Sequence, residues 1–328
     1  MLAVSTERQT LLSVKGLKQY FPITSGVFRN TVAHVKAVDD VSFSLKAGEV
    51  LGLVGESGSG KSTVGRAALR LIEPTAGEVY FEGKDLLAAS KDELRHLRQD
   101  MQMIFQDPYS SLNPRKTIGE ALEEPLAYHG IIKDHEERRN YVEEIIDKVG
   151  LRVEALDRYP HEFSGGQQQR ICIARSILLK PKMIVCDEAV SALDVSVQAQ
   201  ILNLLHELKE SMGFSYLFIS HDLSVVRHIC DRVLVMYLGK IVEEAPVEEL
   251  FRSPKHPYTQ ALLSATPKEH PDEEKIRLSL KGEMPSPINP PKGCPFHPRC
   301  PFAEPVCKVD YPLLKEYSKT HGYYCIRD

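Results

Sequence analysis

Hydrophobic and polar residues alternate along the first part of the chain as strands require. In the segment VSFSLKAG, Val41, Phe43 and Leu45 alternate with polar residues, which is the period of a strand with one buried face. Residues 50–54 (VLGLV) are continuously apolar, as expected of a parallel strand buried on both faces. This part is therefore predicted to form short strands, followed by a helix over 61–72.

Further along, apolar runs alternate with helical patterns. The predicted elements are a strand at 101–105, charged helical residues at 117–160, a helix at about 165–180, a strand at 183–186, a helix at 197–213 and a strand at 216–220. Strands that alternate with helices indicate an α/β fold with a mostly parallel sheet.

Prolines become dense after about Leu250, in segments such as SPKHPY and EMPSPINPPKGCPFHPRCP. Proline at this density interrupts regular structure, so a loop-rich tail is expected. A small loop-rich segment usually needs a covalent or metal staple. The chain is therefore expected to divide into a domain at 1–250 and a second at 251–328.

Composition and charge exclude several classes of protein. The 328 residues are 42% hydrophobic and 26% charged, which is ordinary for a globular chain, and the net charge of −4 predicts no nucleic-acid partner. No apolar run reaches the ~18 residues of a membrane helix. The start, MLAVSTERQT, lacks the basic and apolar regions of a secretory signal. We expect a cytoplasmic chain, whose thiols are mostly reduced.

Residues 55–62, GESGSGKS, fit the phosphate-loop pattern Gly-x4-Gly-Lys-Ser/Thr between the apolar strand and the predicted helix. Glycines let backbone N–H groups turn toward phosphate oxygens, and the helix N-terminus adds the positive end of a dipole. Lys61 can reach the β- and γ-phosphates, and Ser62 can hold Mg²⁺. The alternative is a glycine-rich turn before a helix. The candidate nucleotide-binding residues here are Gly55, Glu56, Ser57, Gly58, Ser59, Gly60, Lys61, Ser62 and Thr63.

An apolar strand at 183–188, MIVCDE, ends in two acids. Ligands bind at the carboxyl ends of strands in sheets of this kind. We expect Asp187 to bind the Mg²⁺ shell and Glu188 to polarise the attacking water. The pattern is weak alone and strong downstream of a phosphate loop.

A second glycine-rich helix start lies at 163–170, FSGGQQQR, where two glycines follow Ser164. It provides another anion-binding helix N-terminus. One chain cannot easily direct both helix starts at a single phosphate tail, whereas two chains arranged head to tail can. Taken alone, the segment would also fit a flexible turn with a helix cap.

These segments occur in the order found in the ATP-binding subunits of ABC transporters, which the chain resembles from the phosphate loop onward. The resemblance implies a P-loop NTPase (RecA-like) nucleotide-binding domain with an antiparallel β subdomain and a helical subdomain at about 107–178. The implied roles are Walker A for Gly55–Ser62, Q-loop and Mg²⁺ ligand for Gln106, signature segment for Ser164, Gly165, Gly166 and Gln167, Walker B acid and catalytic base for Asp187 and Glu188, D-loop for Asp194, switch histidine for His221, and adenine stacking for Phe21.

The sequence departs from the family pattern at three positions. Phe163 stands where the signature usually begins with Leu, and Ala189 and Val190 replace the usual Pro and Thr. Neither Ala189 nor Val190 carries a reacting group, so hydrolysis is expected to survive, with a slightly less rigid loop after Glu188.

Single residues also have simpler interpretations. Taken alone, His221 would be a strand-end histidine, Gln106 a solvated polar residue and Phe21 a core residue. Order and spacing favour the functional interpretation, although Tyr20 lies beside Phe21 and is a second candidate ring.

The tail segments 256–267 (HPYTQALLSATP) and 282–294 (GEMPSPINPPKGC) resemble the C-terminal region of oligopeptide and dipeptide importer ATPases of the F type. The resemblance implies ATP and Mg²⁺ as cofactors and a peripheral position on the cytoplasmic face of the membrane. It also implies a second, non-identical ATPase subunit in a heterodimer, two permease subunits and an extracellular binding protein that delivers the peptide. The alternatives are an importer of nickel or another solute, a non-transport ABC ATPase, and a redox protein whose ATP site is secondary.

Four of the seven cysteines lie in the tail with the spacing C-x5-C-x6-C-x17-C, at Cys294, Cys300, Cys307 and Cys325. Four thiolates suit an iron–sulfur cluster or Zn²⁺. The short knuckle of structural zinc sites is missing, which favours a cluster, and the family resemblance points to [4Fe–4S]. Zn²⁺ and free thiols remain alternatives, with His297 as a further possible ligand. Cys172, Cys186 and Cys230 lie in apolar segments and are expected to be core residues.

Overall fold

A computed structural model describes residues 8–26, 30–265 and 282–327. The expectation of no secretory signal falls on 1–7, and the end of the 256–267 segment falls on 266–267; both lie outside the described residues. The strands are β1 (Thr10–Ser25), β2 (Asn30–Lys46), β3 (Val50–Val54), β4 (Ala76–Phe81), β5 (Lys84–Asp85), β6 (Met101–Ile104), β7 (Met183–Asp187), β8 (Ser215–Ser220), β9 (Arg232–Tyr237), β10 (Lys240–Pro246), β11 (Lys315–Ser318) and β12 (His321–Tyr323). The helices are α1 (Lys61–Ala68), α2 (Lys91–Asp100), α3 (Pro108–Ser111), α4 (Ile118–His129), α5 (His135–Lys148), α6 (Gly165–Ile177), α7 (Val195–Met212), α8 (Leu223–Ile229), α9 (Val247–Arg252) and α10 (Pro257–Ala265), with 3-10 turns at Val153–Asp157, Pro160–Glu162 and Pro305–Lys308.

The chain divides into two compact units. The first, here called the β-rich unit, comprises the described residues of Thr10–Leu45, Val50–Leu87 and Ile219–Asp328. It contains a four-stranded sheet of order β2-β1-β4-β5 and a run of neighbouring strands in the order β11-β12-β10-β9-β3. The β3–β9 pair is parallel, whereas β10 pairs antiparallel with both β9 and β12. The sheet that contains this second run of strands is therefore mixed.

Strand β3 is fully buried and leads into the phosphate loop. Its register with β9 pairs Leu51 with Arg232 and Val54 with Val235. A Cβ placed on Gly52 would lie 2.9 Å from the sulfur of Cys230, so this strand and the end of α8 pack closely. The apolar run predicted as a buried strand is confirmed.

The second unit, here called the helical unit, comprises the described residues of Met1–Gln9, Lys46–Glu49 and Ala88–Phe218. Strands β8, β7 and β6 are neighbours in that order, and β6 and β7 run parallel. Helix α6 contacts α3, α4, α5 and β6 and is the central helix of this unit. Because β6 and β7 are parallel neighbours, their carboxyl ends lie at one edge.

Several predicted boundaries differ from the observed ones. The strands β1 and β2 are longer than expected. The helix expected over 61–72 ends at Ala68, because the chain turns at Arg70, whose φ is +48° and whose guanidinium donates to the carbonyl of Leu86 at 2.8 Å. The charged region 117–160 forms two helices separated by Gly130, which has a φ of +66°.

The tail is less irregular than expected. Helices α9 and α10 occupy 247–252 and 257–265, where proline density predicted loops. Pro257 stands at the first position of α10, where its missing N–H costs no hydrogen bond. From 282 onward the described tail has one 3-10 turn and the strands β11 and β12.

Across the described ranges, the helices are all too short or too polar to span a lipid bilayer.

Candidate functional site

The phosphate loop connects β3 to α1 in the β-rich unit, and its glycines are required by close backbone contacts. A Cβ on Gly55 would lie 2.2 Å from the carbonyl oxygen of Met236, and one on Gly60 would lie 2.0 Å from that of Ala37. Gly60 also has a φ of +104°, which favours glycine. Neighbouring backbone therefore presses against this loop on two sides.

The side chain of Lys61 folds back into the phosphate loop that precedes this residue. Its side chain is buried, and Nζ donates to the carbonyls of Gly55 and Glu56 at 2.8 and 2.9 Å. Gly60, which has no side chain, is the N-cap of α1. A buried ammonium and an α-helix start are both suited to a bound phosphate group.

Two groups of Glu56, its backbone N–H and its carboxylate, form hydrogen bonds with residues outside the loop. Its backbone N–H donates to the hydroxyl of Tyr258 at 2.8 Å. Its carboxylate accepts from Nη1 of Arg299 at 3.0 and 3.1 Å. Glu56 was predicted among the nucleotide-binding residues, whereas Tyr258 and Arg299 were not predicted, because neither lies in a phosphate-binding pattern.

In the helical unit, the structure brings together Gln106 and Glu188, both of which were predicted from the sequence as functional residues. Asp187 ends β7 with no exposed surface, and Glu188 follows it with a φ of +49°. Gln106, which lies beyond the end of β6, donates from Nε2 to the Glu188 carboxylate at 3.0 Å. A positive φ is uncommon for a residue other than glycine and directs Glu188 away from the strand path.

The two unusual residues after Glu188 point inward. Ala189 and Val190 are each 3% exposed. Ser191 donates from both its N–H and its hydroxyl to the Glu188 carbonyl, at 3.1 and 3.0 Å. The substitutions relative to the family pattern therefore fall on packing positions, and the turn that follows Glu188 is hydrogen-bonded.

The signature segment forms the start of α6 as a capping box. The Ser164 hydroxyl accepts from the N–H of Gln167 at 3.4 Å, and the Gln167 side chain accepts from the N–H of Ser164 at 3.0 Å. A Cβ on Gly166 would lie 2.5 Å from Cγ1 of Val197, so α6 and α7 are in close contact here. Ser164 and Gly165 are exposed at this helix start.

Asp194 is the N-cap of α7. Its Oδ1 accepts from the N–H of Val197 at 2.9 Å and from the hydroxyl of Ser196 at 2.7 Å. The backbone bond from Val197 lowers the pKa of the Asp194 carboxyl below its usual value. The next residue, Val195, is 83% exposed, which is unusual for valine and was not predicted.

His221 and Phe21 belong to the β-rich unit. His221 follows β8 and is exposed. Phe21 in β1 is 39% exposed, whereas the neighbouring Tyr20 donates its hydroxyl to Asp39 at 2.5 Å. Burial raises the pKa of Tyr20 above its usual value. Of the two adjacent rings, Phe21 is the more accessible one.

The four tail cysteines line one cavity. Phe296 and Phe302 form part of its wall. Cys294, Cys307 and Cys325 are buried and Cys300 is partly exposed. Burial raises the pKa of Cys294 to about 12. It also raises the pKa values of the Cys300 and Cys325 thiols, and nearby cysteines add to each shift.

The cysteines are suited to a metal centre in type and number but not in arrangement. Within 8–26, 30–265 and 282–327, no three or more His, Cys, Asp or Glu side chains are grouped so that they could hold a metal ion. His297, the further possible ligand, uses Nδ1 for a contact of 2.9 Å with the Cys294 carbonyl. Cys172, Cys186 and Cys230 are buried, which confirms their prediction as core residues.

Two family profiles match the chain. The profile described as "ABC transporter" matches residues 38–191, and the profile described as "Oligopeptide/dipeptide transporter, C-terminal region" matches residues 242–307. The second match includes three of the four tail cysteines.

Individual proteins agree with these profiles. The chain is 54% identical to the oligopeptide transport ATP-binding protein AppF of Bacillus subtilis, over 98% of each protein. It is 52% identical to the dipeptide transport ATP-binding protein DppF of Haemophilus influenzae, over 95% of each. A dimeric structure of the ATP-binding cassette MJ0796, in a post-hydrolysis state with ADP and Pi, is 30% identical with a TM-score of 0.65, over 72% of this chain and 99% of that one.

These similarities extend over nearly the whole chain and include its C-terminal region. The chain belongs to the ABC transporter family, among the ATP-binding proteins of oligopeptide and dipeptide transporters. Its fold is that of an ABC ATPase cassette with mixed sheets.

Proposed function

We propose that the chain is the ATP-hydrolysing subunit of a membrane importer that powers the uptake of dipeptides or oligopeptides. The observation that carries this proposal is the 54% identity, over 98% of both proteins, to an oligopeptide transport ATP-binding protein. A phosphate loop folded around a buried lysine supports it. The match at 242–307 favours peptides over nickel or another solute, and over a non-transport ATPase.

The proposed roles of single residues follow the family. Lys61 and the phosphate loop bind the ATP phosphates, Ser62 and Gln106 hold Mg²⁺, and Phe21 stacks on adenine. Asp187 supports the Mg²⁺ shell and Glu188 activates the attacking water. His221 senses the γ-phosphate. The loop residues that complete the phosphate site are Gly55, Glu56, Ser57, Gly58, Ser59, Gly60 and Thr63.

The signature segment is proposed to act on ATP held by a second subunit. Ser164, Gly165, Gly166 and Gln167 would meet that nucleotide, with Asp194 at the same interface. The exposed α6 start and the exposed Val195 beside Asp194 support a partner surface here. We infer a non-identical partner ATPase, so that the two subunits form a heterodimer with two composite sites.

The remaining partners follow from the proposed role of the chain as a subunit of an importer. Two permease subunits would supply the membrane path, and an extracellular binding protein would deliver the peptide. The chain would lie on the cytoplasmic face of the membrane, with residues 1–250 as the nucleotide-binding domain and 251–328 as the importer-specific domain. ATP binding would close the ATPase pair and hydrolysis would reopen it, so nucleotide state and transport are thermodynamically coupled.

The Glu188→Gln variant tests the assignment of the catalytic base. In the assembled transporter it should bind ATP and trap the closed dimer with hydrolysis reduced by at least ~100-fold, since a positioned general base typically contributes that much. Hydrolysis by this variant at the wild-type rate would show that another group activates the water.

For the tail we propose a [4Fe–4S] cluster held by Cys294, Cys300, Cys307 and Cys325, with Zn²⁺ as the alternative. The shared cavity supports this proposal, and the finding that the described residues contain no group of side chains arranged to hold a metal ion argues against it. The chain should be purified without oxygen and its iron, sulfide and zinc measured. About four irons and four sulfides per chain would support the cluster. One zinc would support the alternative, and neither metal would leave free thiols.

A further inference from the structure

The tail segment between the first two cysteines reaches the phosphate loop. Arg299, the residue before Cys300, donates from Nη1 to both carboxylate oxygens of Glu56 at 3.0 and 3.1 Å. The Arg299 side chain is 6% exposed and that of Glu56 is 28% exposed. A pair this shielded from water interacts more strongly than an ordinary surface ion pair.

The Arg299 guanidinium is itself fixed by an aromatic cluster. It lies 5.9 Å from the ring centroid of Tyr237 and 3.5 Å from the Tyr237 hydroxyl. Tyr237 packs edge-on against Tyr258 and Phe296, with centroid distances of 4.6 and 5.3 Å, and all three rings are buried. Since the Tyr258 hydroxyl accepts from the N–H of Glu56, α10 and the cysteine-bearing turn both fix this one residue.

The turn that carries Arg299 is tied to the cysteine cavity. Within it, the N–H of His297 donates to the Cys294 carbonyl and the N–H of Arg299 donates to that of Phe296, each at 3.0 Å. The N–H of Cys294 donates to the Cys307 carbonyl at 2.9 Å. Because two cavity-lining cysteines bound this turn, a change in the cavity would act directly on the backbone that carries the guanidinium.

We infer that Arg299 is a positioning residue for the phosphate loop, through which the cysteine-lined tail sets the affinity for nucleotide. The inference rests on the proposed nucleotide site. Arg299 neutralises a carboxylate that would otherwise repel bound phosphates, and it holds the second residue of the loop in place. Since binding energies are reciprocal, a bound nucleotide in turn stabilises the turn that holds Arg299.

The test is a titration of the purified full-length chain with Mg·ATP, in variants that separate charge, position and folding. Arg299→Met leaves the Glu56 carboxylate without this cation and should weaken binding by a factor on the order of ten or more, because two unit charges even about 12 Å apart at an effective dielectric near 20 repel by about 1.4 kcal/mol. Arg299→Lys keeps the charge but not the planar donor group and should fall between. The double variant E56Q/R299M removes both charges and should bind more tightly than R299M alone.

Arg95→Met is the control, because Arg95 lies outside the tail and does not line the cysteine cavity. Its guanidinium stacks on Tyr128, 4.5 Å from the ring centroid. Its loss should change the unfolding midpoint without changing the Kd for Mg·ATP. If R299M fails to fold, R299K and the charge-free double variant carry the same comparison.

Hydrogen exchange gives a second measurement. If Arg299 had only a structural role, nucleotide would not change the rate of amide exchange in its turn. Mg·ATP should slow amide exchange across 294–300 in the wild type and leave it unchanged in R299M. Equal Kd values for wild type and R299M, with no response of 294–300 to nucleotide, would overturn the inference alone. No binding of Mg·ATP by the wild type would overturn the proposed nucleotide site and this inference with it.

Discussion

Replacing Gly166 by alanine tests how closely α6 and α7 pack at the proposed partner-facing helix start. The new Cβ would lie 2.5 Å from Cγ1 of Val197, whereas carbon atoms normally pack about 3.5–4.0 Å apart. Val197 is β-branched and lies in a helix, so it cannot simply rotate away. The helices must separate instead.

The expected cost follows from this geometry. Overpacking typically costs about 1–3 kcal/mol, and the gain in helix propensity of alanine over glycine offsets up to about 1 kcal/mol of it. We therefore expect Gly166→Ala to lower the free energy of unfolding by about 1–2 kcal/mol, seen as a lower urea midpoint. The double variant with Val197→Ala should recover most of the loss, because the clashing methyl groups are gone.

Gly165→Ala is the control, because its Cβ would lie 3.7 Å from the Leu193 side chain, an ordinary contact. Its stability should change by less than about 0.5 kcal/mol. Both variants should reduce hydrolysis in the assembled transporter if these glycines approach the partner's nucleotide. Equal urea midpoints for G165A and G166A would refute the packing argument.

Three further predictions concern other parts of the chain. Phe21→Ala should weaken nucleotide binding by about 1–3 kcal/mol through lost stacking, while Tyr20→Phe leaves it unchanged; equal titrations of the two variants would contradict the assignment of the ring. The metal-free chain should lose stability between about pH 9 and 12, because burial raises the pKa of Cys172 to about 12 from a usual value of 9.0, so an unfolded thiol releases its proton first; urea midpoints that do not fall over this range would contradict it. His321→Leu should cost about 1–3 kcal/mol in urea unfolding, because it removes a 2.8 Å hydrogen-bond partner from the fully buried Glu243 and leaves that carboxylate with only the N–H groups of Lys255 and His256 among these contacts; a loss below about 0.5 kcal/mol would show that this carboxylate does not depend on His321.

Local patterns in the sequence predicted much of the fold. The runs at 50–54 and 183–186 are buried strands, because a continuous apolar segment of four or five residues is best accommodated as a strand buried on both faces. The prediction of short strands missed the length of β1, which continues past Gly16, where φ is +56° and the pairing register with β4 shifts. A bulge accommodates this irregular step, and the strand continues beyond it.

Contacts between distant residues could not be predicted in this way. Arg299 and Glu56 are separated by 243 positions, and the local sequence around either residue gives no indication that it contacts the other. The pairing of Gln106 with Glu188 was also not foreseen, although both residues follow strands that prove to be parallel neighbours. Motifs identify residues by local chemistry, whereas these contacts depend on how the sheet and tail fold.

The most direct test of the proposed function is ATP hydrolysis by the full transporter in lipid vesicles, with both ATPase subunits, both permeases and the binding protein. The account predicts hydrolysis that rises when the binding protein carries a peptide and that is lost in the Glu188→Gln variant of this chain. A rate of ATP hydrolysis that does not change when the peptide or the permeases are left out would contradict a role in peptide import.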